Sequence, residues 1–226
     1  MTRNQIVIAL VAVAILAIGA VVYFYAFSGT PVDAVPPGGT ASGNNYTITS
    51  DDHTMGSPKA PIVMIEYAAP TCPHCAHFNE VMFPVLKEKY IDTGKVFYVF
   101  RVYPLHPSDG AVEAMSKCMP ADKYFEFIDL MFRNQPKWDW EYGVTDIHAG
   151  LVQMGRIAGL SADQVDKCIA DTTVQEHINK VAQDGQTRYS ITGTPTFVIN
   201  GGVHSAADIG TPEDMASFFN GILSKK

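Results

Sequence analysis

Short apolar runs and helical spacings follow one another along this chain in an order typical of an α/β domain. Residues 62–67 form a nearly continuous apolar run, and at this length the run favours a buried strand over a helix. Residues 95–103 carry the β-branched and aromatic content of a second buried strand. Between them we predict a helix from Pro73 towards Tyr90, with a kink near Pro84. The order predicts a strand, a right-handed crossover helix and a second strand.

The chain then becomes mainly helical before strand character returns. The helical block covers about residues 108–189, and Ser108 is the predicted cap of its first helix. A strand partner is expected around Val203, and Thr211 is the predicted cap of the last helix, with Pro212 in its first turn. The helical block thus interrupts an α/β unit, so its two ends should lie close in space. Further helices are predicted at residues 146–158, 161–170, 173–189 and 212–223, and a strand at residues 196–199.

The first 27 residues have the pattern of a membrane anchor. Residues 6–27 contain no charge and are long enough to cross a bilayer as a helix, with Arg3 before them. The positive-inside tendency then leaves the N-terminus in the cytoplasm and exports the rest of the chain. The aromatic end of this run is typical of a membrane interface, which favours a transmembrane anchor over a cleaved signal peptide. With either an anchor or a cleaved signal, the remainder of the chain is exported.

Composition separates a tether from a folded domain. Residues 28–45 are rich in Pro, Gly, Ser and Thr and predict a flexible linker, which leaves residues 46–226 as the domain. The whole chain is 47% hydrophobic and carries a net charge of -7, so it can bury a core and lacks the basic balance of a nucleic-acid-binding protein. Four cysteines are too few for a disulfide scaffold but allow two pairs in an exported protein.

Two of those cysteines stand where redox chemistry is expected. Cys72 and Cys75 are separated by two residues and open the predicted helix after the first strand. A thiolate at a helix start faces unpaired N–H groups and the positive end of the helix dipole, which lowers its pKa. Pro73 suits the first helical turn, and His74 can add a donor or a positive charge near Cys72. We therefore predict that Cys72 is the attacking thiol and Cys75 its resolving partner.

A metal site is the alternative for the same residues. Cys72 and Cys75, with His74 or His77, could form half of a zinc site, but the sequence contains no second pair of ligands at such spacing. Attachment of c-type haem requires His directly after the second cysteine, where this chain has Ala76. We therefore expect no metal and no cofactor.

Glu66 and Pro195 are residue types that are unusual in a strand or at its start. Glu66 lies in an apolar strand six residues before Cys72, where a carboxylate is costly to bury without a role or a partner. It could accept the Cys75 proton through water, or it could be a strand-end carboxylate paired with a lysine such as Lys95. Pro195 stands at the start of a strand, and a cis bond after Thr194 is one reason to keep it there.

These motifs together resemble those of the DsbA family of thiol:disulfide interchange proteins. The resemblance is carried by residues 66–75, by residues 193–201 and by the helical insertion between them, and it covers about residues 46–226. It implies a thioredoxin fold with an inserted helical domain, Cys72 as nucleophile, Cys75 as its buried partner and Glu66 as the buried acid. It also implies that Thr194-Pro195 is cis and holds substrate peptide through its backbone.

The chain departs from the best-known enterobacterial oxidases of this family in two ways. Thr194 stands where those enzymes have Val, and related isomerases commonly have Thr there. The N-terminal anchor resembles that of the membrane-bound relatives in alphaproteobacteria and Gram-positive bacteria. Strict oxidase behaviour therefore does not follow from the resemblance alone.

The other two cysteines, Cys118 and Cys168, both fall in the predicted insertion, 50 residues apart. With Cys72 and Cys75 assigned to each other, we expect these two to form a structural disulfide, as in some alphaproteobacterial relatives. Two buried free thiols are the alternative.

The sequence therefore predicts a monomeric oxidase that introduces disulfides into reduced exported polypeptides on the periplasmic side of the cytoplasmic membrane. The resemblance implies reoxidation by a membrane partner of the DsbB type. One alternative is an isomerase or reductase kept reduced by a membrane donor. The other is a metal-binding or chaperone module that uses Cys72, Cys75 and His77.

Overall fold

The computed structural model describes residues 41–43 and 46–224. The predicted anchor at residues 6–27 and residues 28–40 of the predicted linker lie outside this part of the chain. Within the linker region, strand β1 (Ala41–Gly43) pairs antiparallel with β2 (Tyr46–Ile48). No helix in the described ranges is both long enough and apolar enough to span a bilayer.

A five-stranded sheet forms the centre of the domain. Its strands, in chain order, are β3 (His53–Met55), β4 (Ile62–Ala68), β5 (Val96–Val102), β6 (Thr196–Ile199) and β7 (Gly202–Ser205). Their order across the sheet is β3-β5-β4-β6-β7. The pair β4 and β5 is parallel, and the other neighbouring pairs are antiparallel. The central strands β4 and β5 are buried along their whole length, as their continuous apolar runs predict.

The connection from β4 to β5 is one helical run, α1. It consists of four consecutive segments: Pro73–His77, Phe78–Met82, Phe83–Leu86 and Lys87–Ile91. The second and fourth segments are π-helical and lie on either side of the segment that holds Pro84. Proline lacks an N–H for the α-helical ladder, and wider π turns next to it are one way to continue the helix. The helix therefore continues past Pro84 to Ile91.

The insertion between β5 and β6 is helical, as predicted. Its helices are α2 (Pro107–Lys117), α3 (Tyr124–Arg133), α4 (Gln135–Trp138), α5 (Ile147–Ile157), α6 (Ala162–Ile169) and α7 (Thr172–Tyr189). The prediction of Ser108 as the first cap is wrong, because α2 already begins at Pro107 and its N-cap residue is His106. Pro107 needs no N–H partner in the first turn, so the helix can start one residue earlier.

The last helix, α8 (Pro212–Leu223), has the predicted bounds. Its cap is Thr211, whose side chain accepts a hydrogen bond from the Asp214 backbone N–H at 3.1 Å. Strands β1, β2 and β3 were not predicted. Each has only three residues, which is too short to show the alternation of a strand.

Alternation along β4 and β5 builds two cores, one on each face of the sheet. Met64, Ala68 and Phe100 belong to the core that also contains Cys72 and Cys75. The second core holds Ile65, Tyr67 and Val99, together with residues of α7. Glu66 has the parity of Met64 and Ala68, so the side chain is directed to the face on which Cys72 and Cys75 lie.

A buried polar cluster ties the helical insertion to the sheet. Glu113 of α2 accepts a hydrogen bond from the Tyr124 hydroxyl at 2.8 Å and lies 3.2 Å from His53 Nε2 on β3. The rings of His53 and Tyr124 also stack, with their centroids 3.3 Å apart. The insertion therefore packs directly against the edge of the sheet.

Candidate active site

Cys72 is the N-cap residue of α1 and Pro73 occupies its first turn. The chain reaches this position through a tight turn, in which the Cys72 N–H donates to the Ala69 carbonyl at 2.9 Å. The Cys72 carbonyl in turn accepts the first helical bond, from Ala76 N–H at 3.0 Å. Cys72 has extended backbone torsions, which is the usual conformation of an N-cap. The first free N–H groups of the helix are therefore close to the Cys72 sulfur.

These surroundings make Cys72 an acidic thiol. A hydrogen bond from the Cys75 thiol, assisted by Thr194 and by the backbone N–H groups of Cys75 and His74, lowers the pKa of Cys72 to about 6, although burial opposes the change. Only 5% of Cys72 is exposed. The contribution of His74 comes from its backbone N–H, and an effect of its exposed imidazole stays a prediction.

Cys75 differs from Cys72 because it is completely buried. Burial, followed by the neighbouring Cys72 sulfur and Glu66, raises the pKa of the Cys75 thiol well above its usual range. Both cysteines are reduced in the structure. The pair thus contains one thiol that is stable as an anion and one that is stable as a neutral group.

The Thr194-Pro195 peptide bond is cis and directly precedes β6, against the two sulfurs. The Cys72 thiol donates to the Thr194 carbonyl at 3.5 Å. The Thr194 hydroxyl is buried and has no hydrogen-bond partner among the described residues, so it is available to a charged sulfur. Thr194 contributes to the lowered pKa of Cys72, and for Cys75 it opposes the dominant effect of burial, which raises the pKa. The late Thr-Pro motif is thus brought to the cysteine pair, although Thr194 lies 122 positions after Cys72 in the chain.

Glu66 lies beneath the cysteine pair and is only 2% exposed. The carboxylate accepts a hydrogen bond from the Tyr98 hydroxyl at 2.6 Å. Burial, the dominant cause, raises the pKa of Glu66 to about 8, and the charge on Cys72 adds to the shift, whereas the Tyr98 bond opposes it. A carboxyl group with such a pKa can hold or release a proton near neutral pH.

The alternative partner considered for Glu66, Lys95, is not near the carboxylate. The Lys95 carbonyl pairs with Ile62 N–H at the opposite end of β4, and the Lys95 ammonium lies over the ring of Tyr90, 5.6 Å from its centroid. The Lys95 backbone is therefore beside Ile62, four residues along β4 from Glu66. Because a strand advances about 3.3 Å per residue, this separates Lys95 from the Glu66 carboxyl. Tyr98 is the hydrogen-bond partner that sequence reasoning missed.

We expect Glu66→Gln to stabilise the domain at neutral pH. A raised carboxyl pKa gives stability that is complete below the unfolded pKa, near 4.5, and is lost as the pH rises through about 8. At pH 7 Glu66 is ionised in the unfolded chain and takes up a proton on folding, which costs stability. Glutamine keeps an acceptor for Tyr98 and needs no proton, so the free energy of unfolding at pH 7 should rise by roughly 2–3 kcal/mol. Urea unfolding of the oxidised protein between pH 4 and 8.5 measures the effect of burial, which is the dominant cause of the shift, without the titration or the charge of Cys72.

Exposed Glu88 provides the control for this prediction, since Glu88→Gln removes one charge from the surface of α1 and leaves the core unchanged. Its stability should follow that of the parent at each pH. A Glu66→Gln protein that keeps the pH dependence of the parent would show that the buried carboxyl does not titrate as described.

Two buried side chains of the insertion hold the turn before Cys72, and sequence reasoning missed both. Asp109 accepts from the Thr71 N–H at 2.8 Å and from the Thr71 hydroxyl at 3.1 Å. Gln135 donates to the carbonyls of Pro70 and Cys72, at 2.7 and 3.1 Å. Asp109 lies in a helix that the sequence predicts from its apolar spacing, whereas Gln135 begins α4, a short helix that was not predicted. Their burial is the only signal, and it becomes visible when the helices pack.

The two tryptophans of the chain differ in their exposure. Trp138 is fully buried at the junction of two helices, and its indole N–H donates to the Met131 carbonyl at 2.9 Å. Trp140 is 47% exposed and stacks on His106, with centroids 5.1 Å apart. Between residues 46 and 224, no three His, Cys, Asp or Glu side chains come together in a geometry that could hold a metal ion.

Cys118 and Cys168 are joined in a disulfide, with Cα atoms 6.2 Å apart. It links the end of α2 to α6, so it lies within the helical insertion. The alternative of two buried free thiols does not apply to this arrangement.

Comparison with known proteins identifies the family to which this fold belongs. Residues 49–219 match the model of a family described as thioredoxin. A protein of Rickettsia bellii named as a protein-disulfide oxidoreductase is 30% identical over 157 residues, which cover 69% of this chain and 60% of that protein. The chain therefore spans about three fifths of the length of that relative.

Two further relatives are matched over more of their length. Disulfide bond formation protein D of Bacillus cereus is 27% identical over 164 residues, 70% of this chain and 74% of that protein. The crystal structure of alpha-DsbA1 from Wolbachia pipientis superposes with a TM-score of 0.69 at 31% identity, covering 77% of this chain and 92% of that one. By its family match, its fold and its kinship with alpha-DsbA1, this chain belongs to the DsbA group of the thioredoxin family.

Proposed function

We propose that this protein is a dithiol oxidase that transfers the Cys72–Cys75 disulfide to reduced exported polypeptides. The observation that carries the proposal is the difference between the two sulfurs. Cys72 has a pKa lowered to about 6, whereas burial raises that of Cys75 well above its usual range. A stable Cys72 thiolate favours the reduced form of the pair, which makes the oxidised pair a strong oxidant.

The reaction consists of two thiol–disulfide exchanges. A substrate thiolate attacks the Cys72 sulfur, so that a substrate–Cys72 bond forms and the Cys72–Cys75 bond breaks with the electron pair going to Cys75. The second substrate thiolate then attacks the substrate sulfur of the mixed disulfide and displaces Cys72 as a thiolate. The substrate loses two electrons and gains a disulfide, and the enzyme is left as the dithiol.

Glu66 supplies the proton that the buried sulfur requires. Cys75 leaves as an anion in the first exchange, and its high pKa makes it take up a proton. The Glu66 carboxyl, with a pKa raised to about 8, can provide this proton through water and recover it when the pair is reoxidised. Tyr98, which donates to Glu66 at 2.6 Å, holds the carboxyl in place.

The backbone of Thr194 and Pro195 is the proposed site for the substrate peptide. It lies at the start of β6, against the Cys72 sulfur, and would bind an extended segment in the manner of a strand. Pro73 and His74 are exposed beside Cys72 and would border the same peptide.

The site of action follows from the expectations for the N-terminal region. We place the domain on the periplasmic side of the cytoplasmic membrane, anchored by residues 6–27 or released if that segment is cleaved. A membrane partner of the DsbB type would reoxidise the dithiol, and a tether would raise the local concentration of the domain near that partner. The acting unit is a monomer in this proposal.

One comparison separates this function from its alternatives. The oxidised protein is incubated with a reduced multi-cysteine protein, and the reduced protein is incubated with the same substrate carrying scrambled disulfides. We expect rapid disulfide formation in the first mixture and little repair in the second. Repair of scrambled substrate alone would indicate an isomerase, as Thr194 would allow. Stoichiometric copper or zinc after purification without chelator, with neither activity, would indicate a metal-binding module.

A further inference from the structure

Gln135 connects the helical insertion to the backbone of the nucleophile. It is the first residue of α4 and is 1% exposed. Its amide nitrogen donates to the Pro70 carbonyl at 2.7 Å and to the Cys72 carbonyl at 3.1 Å. The two carbonyls lie two residues apart in the turn that leads into α1. A single buried amide therefore spans the turn and uses both of its N–H groups.

The orientation of this amide is determined by its surroundings. Its Oε1 atom accepts a hydrogen bond from the Tyr142 hydroxyl at 3.1 Å. A flipped amide would place Oε1 against two carbonyl oxygens, so the observed orientation is the one the network allows. Tyr142 is itself 47% exposed, at the surface of the insertion. The junction beneath Gln135 is fixed as well, because Trp138 of α4 is fully buried and bonded to the Met131 carbonyl at 2.9 Å.

The hydrogen bond from Gln135 to the Cys72 carbonyl restrains the ψ torsion of Cys72, which sets the position of the sulfur relative to the start of α1. The Cys72 carbonyl belongs to the peptide unit that carries no N–H, since Pro73 follows, and the orientation of that unit sets how the sulfur faces the N–H groups of His74 and Cys75. Those two N–H groups contribute to the lowered pKa of Cys72. Loosening the turn would therefore reduce stabilisation of the thiolate while leaving the thiol itself in place.

We propose that Gln135, oriented by Tyr142, is a positioning residue that keeps Cys72 in the geometry of an acidic, reactive thiol. This positioning role rests on the proposed function, because the proposed thiol–disulfide exchange depends on the Cys72 thiolate. Gln135 touches neither sulfur in this arrangement and acts through the backbone. The helical insertion thereby takes part in the chemistry of the thioredoxin unit.

The test is the pH dependence of Cys72 alkylation by iodoacetamide in the reduced full chain, for the parent and Gln135→Met. Methionine keeps the length of the side chain and removes both donors. We expect the half-maximal rate to shift upward by about one pKa unit, from about 6 in the parent. Gln153→Met, at an exposed glutamine of the same insertion, is the control and should leave the midpoint unchanged.

Loss of stability alone would not move the pH midpoint of Cys72 alkylation. The measurement therefore distinguishes a positioning role of Gln135 from a purely structural one. A folded Gln135→Met protein with the midpoint of the parent overturns the proposal, as does an equal shift in Gln153→Met. If Gln135→Met does not fold, Tyr142→Phe decides: an upward shift supports the proposal and an unchanged midpoint overturns it. A parent midpoint near that of free cysteine would instead reject the proposed function.

Discussion

Replacing Cys72 with alanine is expected to reduce the oxidation of dithiol substrates to the rate without enzyme. Both exchanges in the proposed reaction pass through this sulfur, and no other free thiol occurs among the described residues except Cys75, which is completely buried. The measurement is disulfide formation in a reduced multi-cysteine protein, followed by its recovered activity. Cys75→Ala is the matched variant, since it removes a sulfur from the same pair.

The two variants should fail in different ways. Cys75→Ala keeps the nucleophile but cannot resolve it, so it should accumulate a mixed disulfide with a small disulfide or a substrate, whereas Cys72→Ala should form none. Mass spectrometry under non-reducing conditions distinguishes them. If Cys72→Ala still turned over substrate, the nucleophile would be misassigned.

The Cys72 thiol makes the stability of the reduced protein depend on pH. A pKa lowered to about 6 contributes stability that is complete above the unfolded pKa, near 9, and is lost as the pH falls through about 6. Glu66 acts in the opposite direction over the same range, because its pKa is raised. The oxidised protein lacks the Cys72 contribution. The free energy of unfolding of the reduced protein should therefore rise relative to that of the oxidised protein from pH 5 to pH 8.

Loss of the Cys118–Cys168 disulfide is expected to lower the free energy of unfolding by about 4 kcal/mol, the value that the chain-entropy model gives for a loop of this size. The bond closes a loop of 50 residues that contains α3, α4 and α5. Its absence would leave the unfolded chain with more conformations. Replacement of both cysteines by alanine tests this, with urea unfolding as the measurement.

The redox-active pair must be kept out of that comparison. The stability should therefore be measured in a Cys72→Ala, Cys75→Ala background, in which Cys118–Cys168 is the only disulfide the described cysteines can form. Addition of reductant to this background should produce the same loss as the two further alanines. Alkylation of Cys118 or Cys168 in the absence of reductant would contradict the disulfide itself.

The sequence was sufficient to identify the elements whose signal is local. Strand β6 and helix α8 have the predicted bounds, because each combines an apolar pattern with a boundary residue, Pro195 or Thr211 with Pro212. Strands β4 and β5 follow equally from their continuous apolar runs. The helical insertion was predicted as a block between β5 and β6.

Elements with weak local signals were missed or misplaced. The three-residue strands β1, β2 and β3 depend on pairing with other segments, such as β3 with β5. The start of α2 at Pro107 depends on Asp109, which accepts from the His106 N–H at 2.8 Å while also binding Thr71. The bond that caps α2 is thus local, but its acceptor Asp109 is buried and also holds Thr71 across the fold, which the apolar spacing does not reveal.

The sequence by itself determined the chemical identity of the site: two cysteines at a helix start, a carboxylate on the preceding strand and a late Thr-Pro motif. Only the tertiary structure decided which groups surround them. Tyr98 rather than Lys95 binds Glu66, and Asp109 and Gln135 hold the turn before Cys72. The physical reason is that pKa values and backbone positions depend on burial and on hydrogen bonds between residues far apart in the chain, and these exist only once the insertion has packed against the sheet.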